Sequence, residues 1–303
     1  MTATSQRPTP VQSTTGDRLV YGAIHLNVTS HDRALGFWSG LVGLELLGDD
    51  GDAVRLGVED RELVVLHPGA AEPTPRGHSG LYHLALHLPS EAEFARVLLR
   101  IAQAEYQQAP TDHIMHWATY LWDPDGIGLE LSFETLDRFS RYEMSGGRPM
   151  VVQNDGQLRS PTDHLDLREV VSFLPDRELE RPLPAQTRVG HIHLHVADID
   201  QSLRFYTDGI GFETNMREPL IGMADMRAGG EFPHRLAVNV WQGPGAPPRP
   251  ANTAGLRGYE LNVRSDEQLS AIAERLGAPV RDGQIDAVDP AGNRLTLGVE
   301  AAA

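Results

Sequence analysis

Gly190–Glu213 reads GHIHLHVADIDQSLRFYTDGIGFE, and Gly22–Glu45 reads GAIHLNVTSHDRALGFWSGLVGLE. The two segments align without a gap. Each opens on an alternating apolar/polar run, IHLHV or IHLNV, which predicts a strand. Each continues with apolar residues at helical spacing, Leu203, Phe205, Tyr206 and Ile210 in one, Leu35, Phe37, Trp38 and Leu41 in the other. These aromatic faces read as core. A glycine stops each helix before a further strand. A second unit also occurs twice, as GLYHLALHLPSEAEFARVLLRIA from Gly80 and GLRGYELNVRSDEQLSAIAERL from Gly255. Ser90 with Glu93, and Ser265 with Gln268, have capping-box spacing and mark two helix starts. Both units close on turn chemistry and a strand, DPDGIGLELSF from Asp123 and DPAGNRLTLGV from Asp289.

Working outward, the chain is α+β and divides into four βαβββ-like modules, at about 18–70, 78–135, 187–243 and 253–299. Residues 1–17 read as a flexible polar tail. The connection 136–186 reads as a linker with polar and Pro-rich stretches and one short helical candidate, LDLREVVSFL. PGAPPRP at 244–250 is a turn-rich loop between modules three and four.

Composition narrows the function. The 303 residues carry 26 Lys+Arg against 42 Asp+Glu, a formal charge of −16 without a basic block, which argues against nucleic-acid binding. There is no cysteine, so disulfides, thiolate metal sites and a Cys nucleophile are excluded. Any metal must be held by carboxylates and the 13 histidines. No apolar run is long enough to span a membrane, and the N-terminus has no signal-peptide core, so the expected compartment is the cytoplasm.

The segments GHIHLHVADIDQSLRFY, GLYHLALHLPS, DHIMHWATYLWDPDGIGLEL and HRLAVNVWQGPGAPP resemble the vicinal-oxygen-chelate superfamily of glyoxalases, bleomycin-resistance proteins and extradiol dioxygenases. The similarity is greatest to its two-domain, catechol 2,3-dioxygenase-like branch. The resemblance covers about 18–135 and 187–299, a first and a second domain of paired modules in curved, open sheets. It implies a divalent metal, Fe(2+) or Mn(2+), held by two His and one Glu, a facial triad that leaves positions for O2 and substrate.

Module two matches two ligand positions, His83 on its first strand and Glu130 on its last. A Glu between Leu129 and Leu131 needs such a reason, because burying a carboxylate is costly unless it is paired or ligated. The third ligand has two readings. If modules two and three share a site, His191 completes the triad. If modules one and two share it, Ala23 replaces the matching His and His25 is the rival ligand. Module three also carries His234 at the family's acid/base position, where Asp60 aligns in module one. In module four Gly258 aligns with His83 and Thr296 with Glu130. These departures favour modules two and three. His193 aligns with His25, so both read as structural; His31, His67, His78 and His164 sit in turn or linker contexts and read as solvated.

Tyr120 and His113 match family residues that handle substrate. His116 and Trp117 stand where the branch has other residues, which bears on substrate identity. The implied activity is ring cleavage of a catechol- or hydroquinone-like small aromatic by O2, with His234 moving a proton, Tyr120 bonding a substrate oxygen and His113 assisting. Two rivals follow from the same resemblance. One is a glyoxalase-like metalloenzyme, against which Asn239 counts, standing where that class has a carboxylate. The other is a metal-free binding or resistance protein, for which Ala23 speaks. A closed homo-oligomer is compatible with everything above.

Overall fold

The computed structural model describes residues 16–300. It contains the repeated strand–helix units that the sequence predicts. Ser90 and Ser265 cap the helices Glu91–Gln103 and Asp266–Leu276, each side chain accepting from the backbone N–H three residues on. The helices of modules one and three begin as short α-helices, His31–Leu35 and Ile199–Arg204. They widen into π-helical turns at Gly36–Leu41 and Phe205–Ile210. Phe37, Trp38 and Tyr206 are buried, as their helical spacing implies. Each π-turn sends a ring to the Asp-Pro turn of the following module: Trp38 Nε1 donates to Asp123 at 3.3 Å, and Tyr206 O–H to Asp289 at 2.7 Å.

The modules pair across the sequence. One sheet has seven strands, in the order Ile285–Val288, Arg294–Val299, Gly255–Val263, Leu19–Val28, Arg61–Pro68, Val54–Val58, Glu45–Asp49. It combines modules one and four. The other has nine, in the order Asp163–His164, Ala109–Asp112, His116–Trp122, Gly128–Glu134, Gly80–His87, Arg188–His195, Leu236–Asn239, Met223–Arg227, Glu213–Glu218. It combines modules two and three. At the centre of each, the first strands of its two modules run antiparallel, with His193 opposite His83 in one and His25 opposite Gly258 in the other.

Three sequence readings change. Residues 1–15 lie outside the described residues, but Asp17 is buried, bonded to Arg235 Nε at 2.9 Å and accepting from Gly230 N–H at 3.1 Å. The connection 136–186 is more than a linker. It holds the helix Leu167–Ser172, where LDLREVVSFL predicts one, and also a three-stranded sheet, Phe139–Ser145, Arg148–Gln153 and Leu158–Arg159. Finally, strand pairing places Val64 beside Ile24 and Leu236 beside Ile192, so the residue of module one that corresponds to His234 is Glu62, not Asp60.

Candidate metal centre and its cavity

His83, Glu130 and His191 come from three neighbouring strands of the nine-stranded sheet. Glu130 lies beside Ala85 on the strand parallel to that of His83, and His191 comes from the antiparallel neighbour. The register between those two first strands is irregular on either side of His191–His193, which re-aims the side chains there. His83 Nε2 and His191 Nε2 lie 3.1 and 3.3 Å from Glu130 Oε2, and 3.3 Å from each other. All three residues are buried. Ligand bonds of about 2.1 Å meeting at angles between 90° and tetrahedral require ligand atoms about 3.0–3.4 Å apart. The observed triangle meets that requirement.

Protonation fits as well. Burial lowers the pKa of His83 and, more strongly, of His191, so both imidazoles are neutral. Burial pushes the Glu130 carboxyl up, and it is held well below the usual carboxylate range only by positive charge beside it, from the neighbouring imidazoles, His191 first, when protonated, or from a cation in their place. Two neutral nitrogens and one carboxylate oxygen suit a divalent cation. The other oxygen, Oε1, is occupied by the Ser132 hydroxyl and lies 3.0 Å from His116 Nε2.

His87, which the sequence reading passed over, sets the tautomer of His191. Its Nδ1 lies 2.8 Å from Glu134 Oε1, and a carboxylate only accepts, so Nδ1 carries the proton. Burial pushes the His87 pKa down to about 4, leaving the ring neutral with a lone pair on Nε2. That lone pair accepts from His191 Nδ1–H at 2.9 Å. His191 therefore presents a bare Nε2 toward Glu130 and His83. Glu134 in turn is held by Arg188 at 2.6 Å and Arg235 at 2.9 Å. Such outer partners orient a metal-binding imidazole and raise its basicity. Gly190 makes room for the arrangement, since a Cβ there would lie 2.0 Å from the His87 ring. Strand periodicity held the signal: His87 follows His83 by four residues and Glu134 follows Glu130 by four, so each pair shares a face.

A cavity of about 370 Å³ borders the triad and is lined by His83, His113, His116, Tyr120, His193 and His234. His113 Nδ1 donates to the Pro161 carbonyl at 2.7 Å. Burial pushes its pKa down to about 4, so Nε2 is a bare acceptor, and the Tyr120 hydroxyl donates to it at 2.8 Å. The Tyr120 oxygen thus keeps its lone pairs for another donor. His234 Nδ1 donates to Asp225 at 2.9 Å, which leaves Nε2 as the atom that can take or give a proton. Asp225 is fully buried and also accepts from Asn215 at 2.9 Å. The far wall is apolar, made by Met115, Met216, Ile221, Met223 and Trp241, and by Tyr142 and Pro149 of the three-stranded sheet. Among the described residues, no Lys or Arg lines the cavity.

The other histidines lie elsewhere or are engaged. His25 sits in the seven-stranded sheet, bonded to Glu260 at 3.2 Å and His67 at 3.1 Å. His67, expected in solvent, is half-buried and stacks on His25. Asn239 bridges His193 Nε2 at 2.8 Å and His195 Nδ1 at 2.7 Å, and it is not in the triad. Among the described residues, no helix is long and apolar enough to cross a membrane.

The family model for the Glyoxalase/Bleomycin resistance protein/Dioxygenase superfamily matches residues 20–131 and 188–280. A catechol-2,3-dioxygenase of Bacillus subtilis (strain 168) is 30% identical over 261 residues, 84% of this chain and 86% of that protein. Among solved structures, a protein of Bacillus subtilis subsp. subtilis str. 168 superposes with a TM-score of 0.60 at 14% identity, covering 93% of this chain and 86% of that one. Glyoxalase I from Zea mays superposes with a TM-score of 0.54 at 14% identity, covering 94% of each chain. At these identities the two structures speak for the fold alone. Repeated modules, paired sheets and sequence similarity agree, and the chain belongs to the glyoxalase/bleomycin resistance/dioxygenase superfamily, in its two-domain, catechol 2,3-dioxygenase-like branch.

Proposed function

We propose that the protein is an extradiol-type dioxygenase that opens the ring of a catechol- or hydroquinone-like aromatic with O2, using Fe(2+) held by His83, Glu130 and His191. The triangle of His83 Nε2, Glu130 Oε2 and His191 Nε2, with edges of 3.1–3.3 Å, is the observation that carries the reading. When bound there, a redox-active divalent metal supplies Lewis acidity toward phenolic oxygens and a site for O2. The similarity to a catechol-2,3-dioxygenase supports oxygen chemistry over isomerisation.

The chain's own residues supply the rest. His234 Nε2 takes the proton of a substrate hydroxyl, and Asp225 stabilises the imidazolium that results. The Tyr120 oxygen accepts from a second substrate hydroxyl, because its own proton is committed to His113. His113 is fixed by the Pro161 carbonyl and holds Tyr120 in that orientation. The wall of Met, Pro, Tyr and Trp excludes water and selects an apolar ring substituent over a carboxylate.

The test is anaerobic loading with Fe(2+), then O2 uptake with catechols and hydroquinones bearing apolar or carboxylate substituents. Stoichiometric O2 uptake with a ring-opened product, absent from metal-free protein, is expected. A metal-loaded protein that consumes no O2 with any such substrate, yet isomerises a hemithioacetal, overturns the reading.

A further inference from the structure

The seven-stranded sheet has a concavity of its own. There the counterparts of His191, His83 and Glu130 are Ala23, Gly258 and Thr296. A cavity of about 660 Å³, which none of these three lines, opens on the same side of the molecule, lined by Arg249, Arg257, Arg294, His67, Asn27 and Asn252 among others. Among the described residues, no Asp or Glu lines it. Arg249, from the PGAPPRP loop, is fixed by neutral oxygens: Thr253 Oγ1 at 2.9 Å, the Leu256 carbonyl at 2.7 Å and the Thr253 carbonyl. Its charge is therefore held in place without a counter-ion. The guanidiniums of Arg257 and Arg294 make no hydrogen bond and no ion pair with any described residue.

Three guanidiniums on one concave surface repel one another. On a chain with 42 acidic and 26 basic side chains, carboxylates to neutralise them are plentiful elsewhere. Concave walls focus the positive potential instead of letting it dissipate. His67 adds no charge, because burial, then Arg257 and His25, push its pKa down to about 4; its Nε2 is taken by His25, and the two Asn amides remain as neutral donors. An adjoining cavity of about 440 Å³ shares Arg257 and Arg294 but also contains Glu260 and Asp286. Glu260 is already taken by His25 and the Ala23 N–H, and Asp286 accepts from Thr296 at 2.9 Å.

We propose that the larger cavity is an anion site. It takes the phosphate or carboxylate group of a small molecule between Arg257 and Arg294, on the sheet that lacks the counterparts of His83, Glu130 and His191. Paired guanidinium forks are suited to such planar or tetrahedral oxyanions. A chain of charge −16 repels a nucleic-acid polyanion, so the ligand is small.

The experiment is titration calorimetry with inorganic phosphate and with succinate at constant ionic strength, using chloride to balance. Saturable binding of at least one probe is expected. It should weaken at least tenfold in the R257A/R294A double variant and persist in H191A, which leaves this sheet untouched. Both arginines are exposed and unbonded, so the double variant should keep the wild-type melting temperature. No saturable binding of either probe, or equal binding by the double variant, overturns the proposal, as does loss of binding in H191A.

Discussion

The two sheets are one design carried out twice, and their difference shows what the proposed metal site demands beyond the fold. In the nine-stranded sheet, Glu130 and the two imidazoles beside it are buried and face one another. In the seven-stranded sheet the corresponding strands carry Thr296, Gly258 and Ala23, and the carboxylate has moved to Glu260, beside Thr296. That side chain is 43% exposed and bonds His25, not a cage. Backbone and register are kept while the chemistry is gone, which is why fold alone does not assign function. The glycine before each first-strand position is also kept. Gly190 clears the His87 ring, and Gly22 clears the Glu260 carboxylate.

The largest test makes one sheet resemble the other. His191→Ala copies Ala23 into the nine-stranded sheet. Metal affinity is expected to fall by more than the about 10–100-fold typical of losing an outer partner, and O2 uptake with it. Equilibrium dialysis against Fe(2+) or Mn(2+) reads this directly. Ala23→His, the reverse change, should gain no metal, since Gly258 and Thr296 supply no ligands. A variant H191A that retains stoichiometric metal would break the comparison.

Next in size are the groups that hold the imidazole. His87→Asn copies Asn262, the residue in the same place on the seven-stranded sheet, and Glu134→Gln removes the acceptor that orients His87. Each should lower metal affinity about 10–100-fold by releasing the tautomer of His191. If affinity is unchanged in both, the relay from Glu134 to His191 does not matter to binding.

The repeats made most of the architecture legible. The internal repeats marked out four modules, capping-box spacing marked the caps at Ser90 and Ser265, and the family resemblance pointed to His83, Glu130 and His191. The pairing of modules two and three was readable from what modules one and four lack. Three things were not read. His87 stood among 13 histidines, and only the strand period links it to His83. The three-stranded sheet has no counterpart in the repeat; its Ser-Gly-Gly turn, with Gly146 and Gly147 at φ +58° and +75°, is ordinary hairpin chemistry that a polar connection conceals. The correspondence of Glu62 with His234 is set by strand pairing, which a linear match of motifs does not see.

Acid should act chiefly on the nine-stranded sheet. His87 and His113 are pushed down to about 4 by burial, against an ordinary 6.5. Between those values the unfolded chain takes up protons that the folded protein refuses, so stability is complete above pH 6.5 and falls toward pH 4. Each residue accounts for at most about 3 kcal/mol of that loss. His67, also near 4 but only half-buried, should add less. Urea midpoints between pH 7 and 4.5 should therefore slope downward, and His113→Gln should flatten the slope. A level profile for the wild-type protein would show that these imidazoles are not held neutral.

The smallest expected effect compares the two glycines. Gly190→Ala puts a Cβ 2.0 Å from the fully buried His87 ring, which Glu134 and His191 grip from both sides. The ring cannot yield without breaking those bonds, so a cost of about 1–3 kcal/mol is expected, the range for overpacking a filled interior. Gly22→Ala meets Glu260 Oε2 at 2.5 Å, the far end of a half-exposed side chain that can swing into water, and Glu260 Cβ at 2.9 Å, which can move only with its strand. Its cost should be the smaller of the two, because the strand must give by only a few tenths of an ångström and no buried hydrogen bond is broken. Chemical denaturation of the two variants side by side measures the difference. Equal costs would mean that the two sheets are packed alike at this position, and that the His87 ring is freer to move than its bonds to Glu134 and His191 imply.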